Sequence, residues 1–291
     1  MKRLLLVALV PALLTACAST RTAEAVTDTA ATAPAPTVTG PSEVGLTAAV
    51  AGDWRDAKFS ARDRYRHPRE TLMFFGVAPN QTVIEITPGA GWYSEILAPY
   101  LKDDGQYVAA VWDDAITGQP KYRYDLNKQL RAKFAGNAAV YGAPQVRVFD
   151  PKAPSFGAAG SADTVLTFRN VHNWVSDGSA EAYFKAFFDV LKPGGTLGLA
   201  EHRAKPGTDL AKMKKSGYLT EALVIELAQG AGFVLDAKSE VNANPQDSAD
   251  HPNGVWTLPP VNRHDAKDDA KYQAIGESDR MTLRFRKPAR E

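Results

Sequence analysis

One segment constrains the fold of this chain more than any other. The β-branched run at residues 82–86 is followed by the turn Thr87-Pro88-Gly89-Ala90-Gly91 and then by an amphipathic helical pattern at residues 93–101. Glycines in a tight strand-to-helix turn let the backbone approach a ligand and direct helix N–H groups at it. Many α/β loops contain Gly-x-Gly, so this interpretation depends on the rest of the chain.

Strand and helix patterns alternate through the remainder of the sequence. We predict strands at residues 82–86, 107–112, 145–149, 163–168, 196–201, 233–241 and 281–286, and further helices at 180–191 and 219–230. This alternation favours a parallel sheet covered on both faces. The aromatic stripe at residues 183–188 has helical spacing and is predicted to be core.

Polar residues follow two of these strands. Residues 169–174 read Arg-Asn-Val-His-Asn-Trp, and residues 201–203 read Glu-His-Arg. Ligands bind outside the carboxyl ends of parallel strands, so both segments should face one crevice. The predicted substrate crevice comprises Trp92, Tyr93, Asn170, Asn173, Trp174 and Glu201. Either His172 or His202 could act as a general base near neutral pH, or make only a structural hydrogen bond.

We predict no metal site. No stretch around His172, Glu201 and His202 has the residue spacing typical of metal ligands. Adjacent strand residues such as Glu201 and His202 should also point to opposite faces of the sheet.

Together these segments resemble the class I S-adenosylmethionine-dependent methyltransferases. The first motif of that family, acid-x-Gly-x-Gly-x-Gly, corresponds here to Glu85-x-Thr87-x-Gly89-x-Gly91, and residues 191–197, Leu-Lys-Pro-Gly-Gly-Thr-Leu, look like its turn into the fifth strand. The resemblance implies a Rossmann-like α/β fold with a mostly parallel seven-stranded sheet, an antiparallel last strand and helices on both faces. The blocks at 62–68 and 276–281 resemble a bacterial subgroup of predicted exported or lipoprotein methyltransferases.

The resemblance also implies cofactor contacts. Gly89 and Gly91, with Thr87 in place of the first glycine, would flank the methionine portion of S-adenosylmethionine, and Glu85 would contact its ammonium group. Asp150 would accept a hydrogen bond from the adenine amino group. Glu85 and Asp150 could alternatively cap a helix and a turn. For the ribose, the sequence offers Asp113 from a slightly extended strand, or Trp112 stacked on the adenine instead.

The N-terminus reads as a bacterial lipoprotein signal. Lys2 and Arg3 precede an apolar run, and small residues precede Cys17, the only cysteine. We predict a signal at residues 1–16, a lipid on Cys17, a disordered Ala/Thr/Pro-rich tether at 17–48 and one domain at 49–291. An ordinary signal peptide cut nearby is the alternative. Ala18 favours the outer membrane, facing the periplasm.

Charge and organisation limit the function further. Lys and Arg total 34 against 33 Asp and Glu, which argues against a nucleic-acid partner. Residues 242–279 are too long for a passive hairpin and are predicted to form a partly ordered lid. The sequence predicts a membrane-tethered methyltransferase with an unidentified acceptor. The alternatives are a non-catalytic small-ligand-binding lipoprotein and a structural envelope protein.

Overall fold

The computed structural model describes residues 40–289, and within them a seven-stranded sheet organises the chain. The predicted signal, Cys17 and the first part of the predicted tether lie outside the described residues. The strands are β1 Thr82–Ile86, β2 Gln106–Trp112, β3 Gln145–Phe149, β4 Ala162–Phe168, β5 Leu191–His202, β6 Val234–Ser239 and β7 Arg280–Arg286. Their order is β3-β2-β1-β4-β5-β7-β6, and β7 is antiparallel to both of its neighbours. This confirms the predicted Rossmann-like arrangement.

Twelve helices surround the sheet in the described part of the chain. They are α1 Glu43–Val50, α2 Ala57–Ser60, α3 Asp63–Arg66, α4 Pro68–Phe75, α5 Ser94–Leu101, α6 Lys121–Gly136, α7 Ala138–Tyr141, α8 Val171–Asp177, α9 Ala180–Val190, α10 Leu210–Ser216, α11 Glu221–Gly230 and α12 Asp269–Ile275. Two short 3₁₀ turns occur at Gly254–Thr257 and Ala266–Asp268. None of the helices described is both long and apolar enough to cross a membrane.

The core has two halves, one on each face of the sheet. Because side chains alternate along a strand, Ile84 and Val108 pack into one half while Val83 and Ala109 pack into the other. The first half includes α8, α9 and α11, and the second includes α1, α4 and α5. The predicted aromatic stripe is core, since Tyr183, Phe184 and Phe187 are buried.

The predicted disordered tether, residues 17–48, includes the start of a helix that belongs to the domain. Residues 43–50 form α1, whose N-terminus is capped by the Ser42 hydroxyl accepting from the Gly45 N–H. Leu46 and Ala49 are buried against α4 and α5. Burial of Leu46 supplies the apolar contact that makes this short helix stable, which composition alone did not indicate.

The segment at 242–279 is folded onto the domain by buried polar contacts. Asn242 donates to Thr71 and to Thr282, each at 3.0 Å, and Tyr218 donates to Asp247 at 2.9 Å. Its middle, residues 255–261, lies over the carboxyl ends of the parallel strands. The segment is therefore anchored at its base and covers the edge where ligands bind in such sheets.

Candidate functional site

A cavity of about 290 Å³ opens at the carboxyl ends of β1, β2, β4 and β5. It lies beside the switch point between β1 and β4, where the strand order reverses and parallel α/β sheets bind ligands. The residues that line it are Arg66, Glu85, Ile86, Thr87, Pro88, Gly89, Trp92, Tyr93, Trp112, Tyr122, Leu126, Phe168, Arg169, Asn170, His172, Asn173, His202, Val255, Trp256, Pro259, Pro260 and Val261.

The glycine turn after β1 forms one wall of this cavity. Thr87, Gly89 and Gly91 all have positive φ, at 47°, 62° and 91°. A Cβ added at Gly89 would meet nothing within 4 Å, whereas one at Gly91 would lie 2.8 Å from Leu130. Gly91 is therefore needed for close packing, and Gly89 leaves space open toward the cavity. The Thr87 hydroxyl is buried and has no hydrogen-bond partner among the described residues.

Glu85 is the acidic group at the end of β1. Tyr107 donates to its Oε2 at 2.6 Å and Ser94 donates to the same oxygen at 3.3 Å. Burial raises the pKa of Glu85 from 4.5 to about 7, although the two hydrogen bonds favour the charged form. Glu85 therefore lies in the cavity wall with its pKa near neutral pH, and its charged form can pair with a cation.

The end of β2 presents an aromatic ring to the cavity. Trp112 lines it, packs edge-to-face on Tyr122 with ring centroids 5.8 Å apart, and lies under the Arg123 guanidinium at 4.9 Å. Asp113 is not among the lining residues, and its carboxylate accepts from the Ala115 N–H at 2.9 Å. Asp150 is exposed and likewise accepts from the Lys152 N–H.

Aromatic side chains and one asparagine shape the opposite wall. Tyr93 stacks on Phe168 with ring centroids 3.6 Å apart, and Trp92 donates to the Phe59 carbonyl at 2.8 Å. Asn170 donates to the Ile86 carbonyl at 3.1 Å, which ties the end of β4 to β1. Trp174 instead stacks on Tyr183 in the hydrophobic core, away from the cavity lining.

His172 and Glu201 form a buried pair. Glu201 is fully buried, and its Oε1 lies 2.9 Å from His172 Nδ1. A carboxylate can only accept, so His172 Nδ1 donates to it, and in the neutral imidazole Nε2 is then an acceptor. His172 lines the cavity while Glu201 stands behind it. This arrangement can orient the imidazole as a general base.

His202 follows Glu201 and also lines the cavity. Its Nδ1 lies 2.6 Å from Ser278 Oγ. Burial, with the charges of His172, Arg169 and other nearby arginines, holds the pKa of His202 well below its usual range. The ring is therefore neutral at pH 7, and its Nδ1 either donates a hydrogen bond to the Ser278 hydroxyl or accepts one from it, according to the tautomer.

The predicted separation of Glu201 and His202 by strand alternation is wrong. Ligand atoms of His172, Glu201 and His202 all lie within 4.8 Å of one another. The side chain of Glu201 curls back to accept from the His202 N–H at 2.8 Å, so alternation along the strand does not separate it from His172. Because its oxygens are already engaged and arginines surround the cluster, the local field disfavours a cation.

Sequence reasoning missed two arginines in the cavity wall. Arg66 is 3 % exposed and lies 4.7 Å from the Trp92 ring, and Arg169 follows β4 directly. Arg66 belongs to the Arg-rich block at 62–68, which was noted for its resemblance to a bacterial subgroup of methyltransferases and not for its charge. Arg169 stood in the polar run after β4, but its charge was not singled out.

The fold is shared with known methyltransferase structures. A SAM-dependent methyltransferase from Aquifex aeolicus aligns at a TM-score of 0.52 with 13% identity, over 84% of this chain and 98% of that one. A putative sarcosine dimethylglycine methyltransferase from Galdieria sulphuraria aligns at 0.55 with 14% identity, over 81% and 88%. The [4+2]-cyclase SpnF aligns at 0.53 with 14% identity, over 87% and 98%. No family model and no curated protein sequence matches the chain.

These similarities define the class of fold. The strand order, the antiparallel β7 and the neighbours make it the Rossmann-like fold of class I methyltransferases. The cyclase among the neighbours illustrates that this fold supports more than one activity. The function therefore depends on the residues that line the cavity.

Proposed function

We propose that this protein is an S-adenosylmethionine-dependent methyltransferase. The observation that carries the proposal is the cavity at the β1/β4 switch point, which brings Glu85, the glycine turn and Trp112 to one opening. Glu85 offers a carboxylate to the ammonium group of the cofactor, and Gly89 leaves room for its methionine portion. Trp112 offers a flat face for the adenine.

The residues around the cavity suit a transfer of this kind. When bound, the cofactor supplies an electrophilic methyl group; the acceptor nucleophile takes that group as the carbon–sulfur bond breaks. His172 Nε2 accepts the proton that the acceptor loses, while Glu201 holds the imidazole in the required tautomer. Trp256 and Pro259 cover the opening and exclude water from the reacting groups.

Location is part of the same proposal. We infer that a lipid on Cys17 tethers the domain to the bacterial envelope, facing the periplasm, because the residues before Cys17 have the order of a lipoprotein signal. The partners would be that membrane and a small-molecule acceptor. An envelope site requires a source of cofactor outside the cytosol.

Calorimetric titration of S-adenosylmethionine and S-adenosylhomocysteine into the full chain in detergent tests the proposal. We expect micromolar binding that is lost in Gly89→Arg, since the new side chain has open space ahead of it and would fill the cavity. Circular dichroism verifies that the variant is folded. Failure of the unmodified chain to bind either compound at millimolar concentration would overturn the assignment.

A second function is favoured by one observation. Methyltransferases of this fold use a carboxylate after β2 to bind the ribose. Here that carboxylate would be Asp113, which accepts from the Ala115 N–H in its own turn and does not line the cavity. Loss of the ribose contact suits a lipoprotein that binds a small ligand without catalysis. Binding of S-adenosylhomocysteine without methyl transfer to any acceptor tried would favour this alternative.

A further inference from the structure

Positive charge exceeds negative charge on one side of the cavity. Four arginines, Arg62, Arg66, Arg169 and Arg280, are grouped around one carboxylate, Glu277. Glu277 lies 2.6 Å from Arg62 Nε, 3.1 Å from Arg66 Nε and 3.2 Å from Arg280 Nη2. We call these five residues the arginine cluster. The charge of Glu201 also acts on Arg169, but four guanidinium groups still outnumber these two carboxylates.

Parts of the cluster lack partners. Nη2 of Arg66 and Nη2 of Arg62 are buried and have no hydrogen-bond partner among the described residues. No described residue accepts a hydrogen bond from the Arg169 guanidinium or pairs with it. A buried guanidinium N–H without a partner costs free energy, which water or a ligand in the cavity offsets.

The two arginines that reach the cavity are held there by the fold. Arg66 is fixed on α3 by Glu277 and by the Trp92 ring. Arg169 has a φ of 59°, in the left-handed region, and its N–H donates to the Ala200 carbonyl at 2.8 Å. A strained non-glycine backbone at the end of β4 directs the side chain into the cavity.

We propose that Arg66 and Arg169 bind the anionic head group, a carboxylate or a phosphate, of the methyl acceptor. This proposal rests on the proposed function, because the bound anion is a methyl acceptor only if the protein transfers a methyl group. S-adenosylmethionine carries two positive groups and one carboxylate, so its binding adds no net negative charge to the arginine cluster. The second ligand has to bring the negative charge, and guanidinium groups match carboxylate and phosphate geometry.

The surroundings define the rest of the acceptor. Trp256, Pro259 and Val261 give the cavity an apolar cover, while His172 and His202 lie beside the arginines. An acceptor with an acidic head and a small apolar body therefore fits. Bound by its head, it would present its nucleophile near His172 Nε2.

The test uses the full chain in detergent, saturated with S-adenosylhomocysteine, and three probes: benzoate, phenyl phosphate and the neutral benzamide. We expect at least one anion to bind at least tenfold more tightly than benzamide, and the stronger anion identifies the head group. Arg169→Gln and Arg66→Gln should each weaken it at least tenfold. Arg64→Gln, an exposed arginine on the same helix as Arg66, should not.

Several outcomes would overturn the proposal. Equal binding of benzamide, or no anion binding at all, would do so. A loss of S-adenosylhomocysteine affinity in Arg169→Gln, with 5′-methylthioadenosine unaffected, would instead assign Arg169 to the carboxylate of the cofactor. Arg169→Lys, which keeps the charge, replaces Arg169→Gln if that variant does not fold. If S-adenosylhomocysteine fails to bind, the proposed function fails, and anion binding measured without it still decides whether the arginines form an anion site.

Discussion

Thr87 places a β-branched residue in a backbone conformation that favours glycine. Its φ is 47°, and its buried hydroxyl has no partner among the described residues. A left-handed conformation costs an L-residue about 1–2 kcal/mol, so the turn stores strain beside the cavity. The neighbouring Gly89 has a similar φ without that cost.

Thr87→Gly should therefore stabilise the domain by about 1 kcal/mol, measured by urea unfolding. Relief of strain and loss of an unpaired hydroxyl outweigh the greater freedom that glycine gives the unfolded chain. Gly89→Ala is the matched control, since it introduces the same strain where a Cβ meets nothing, and it should destabilise by about 1 kcal/mol. A destabilised Thr87→Gly variant would mean that the threonine side chain packs productively.

Glu85 makes ligand binding and stability depend on pH. Its pKa is raised from 4.5 to about 7, so the folded state holds a proton that the unfolded state releases between these values. Stability of the unliganded protein should accordingly fall as pH rises from about 4.5 to 7. The charged form prevails above pH 7 and pairs better with a cationic ligand.

We expect S-adenosylhomocysteine affinity to rise with pH from 6 to 8, by at most about tenfold per unit, and protons to be released on binding. Titrations in buffers of different ionisation enthalpy measure the proton release. Glu85→Gln should bind weakly at every pH and show a flatter profile. An unchanged profile in that variant would place the titrating group elsewhere.

Among the elements, α1 shows how a short helix can belong to the core. Val44 is 83% exposed while Leu46 is fully buried, although the two lie two residues apart. The helix packs on α4 and α5; α4 in turn packs on β5 and β7, and α5 packs on β2. Its contribution to the domain thus depends on the buried side chains Leu46 and Ala49, of which Leu46 is the larger.

Leu46→Ala should lower the free energy of unfolding by about 2–5 kcal/mol, because it leaves a cavity in a closed part of the core. Val44→Ala should change it by less than about 0.5 kcal/mol. Chemical denaturation of both variants checks the pair. Equal stability of the two would show that α1 does not remain docked in solution.

The segment at 242–279 consists of an anchored base and a covering middle. Asp247 accepts hydrogen bonds from Tyr218 and His251 and from the N–H of Asp279, so removing the whole segment would also remove buried partners of the domain. Complete deletion is therefore a poor test of the predicted lid. The lid role of residues 242–279 remains a prediction.

Asp247→Ala should cost about 3 kcal/mol of unfolding free energy, because it strands several buried donors. Asp250→Ala alters an exposed aspartate in the same segment and should cost less than about 0.5 kcal/mol. Thermal or urea unfolding distinguishes them. A small effect at Asp247 would show that the base of the segment is not anchored as described.

For the whole molecule, we propose that membrane attachment depends on Cys17, which lies outside the described residues. If the lipid is on Cys17, Cys17→Ser should move the chain from the membrane fraction to the soluble fraction and abolish incorporation of labelled fatty acid. Binding of S-adenosylhomocysteine should not change, because the cavity lies entirely within residues 66–261. Membrane association that survives in the variant would exclude the lipid as the anchor.

Much of the fold was predictable because its signals are local. Strands β1 and β3 were predicted at their observed bounds, and β4 and α9 within one residue, because alternation and helical spacing are properties of neighbouring residues. The short helices α2, α3 and α7 were not, because four residues carry no usable period. Their positions depend on packing.

The candidate site was only partly predictable. Glu85, Gly89, Trp92, His172 and His202 were chosen by their positions at strand ends, and all line the cavity. Trp174 belongs to the core, and both Asp113 and Asp150 accept from backbone N–H groups in their own turns. Which way a side chain turns at a strand end depends on neighbours that are distant in the sequence.

The sequence by itself determined the seven strands, helices α5, α9 and α11, the glycine turn and the polar character of the strand ends, because each follows from residues close together in the chain. Only the tertiary structure decided that Glu201 supports His172 and that Glu277 faces Arg62, Arg66 and Arg280. Glu277 and Arg66 are 211 residues apart. Such contacts form only when the whole sheet is assembled, and their energies come from burial, which no local pattern encodes.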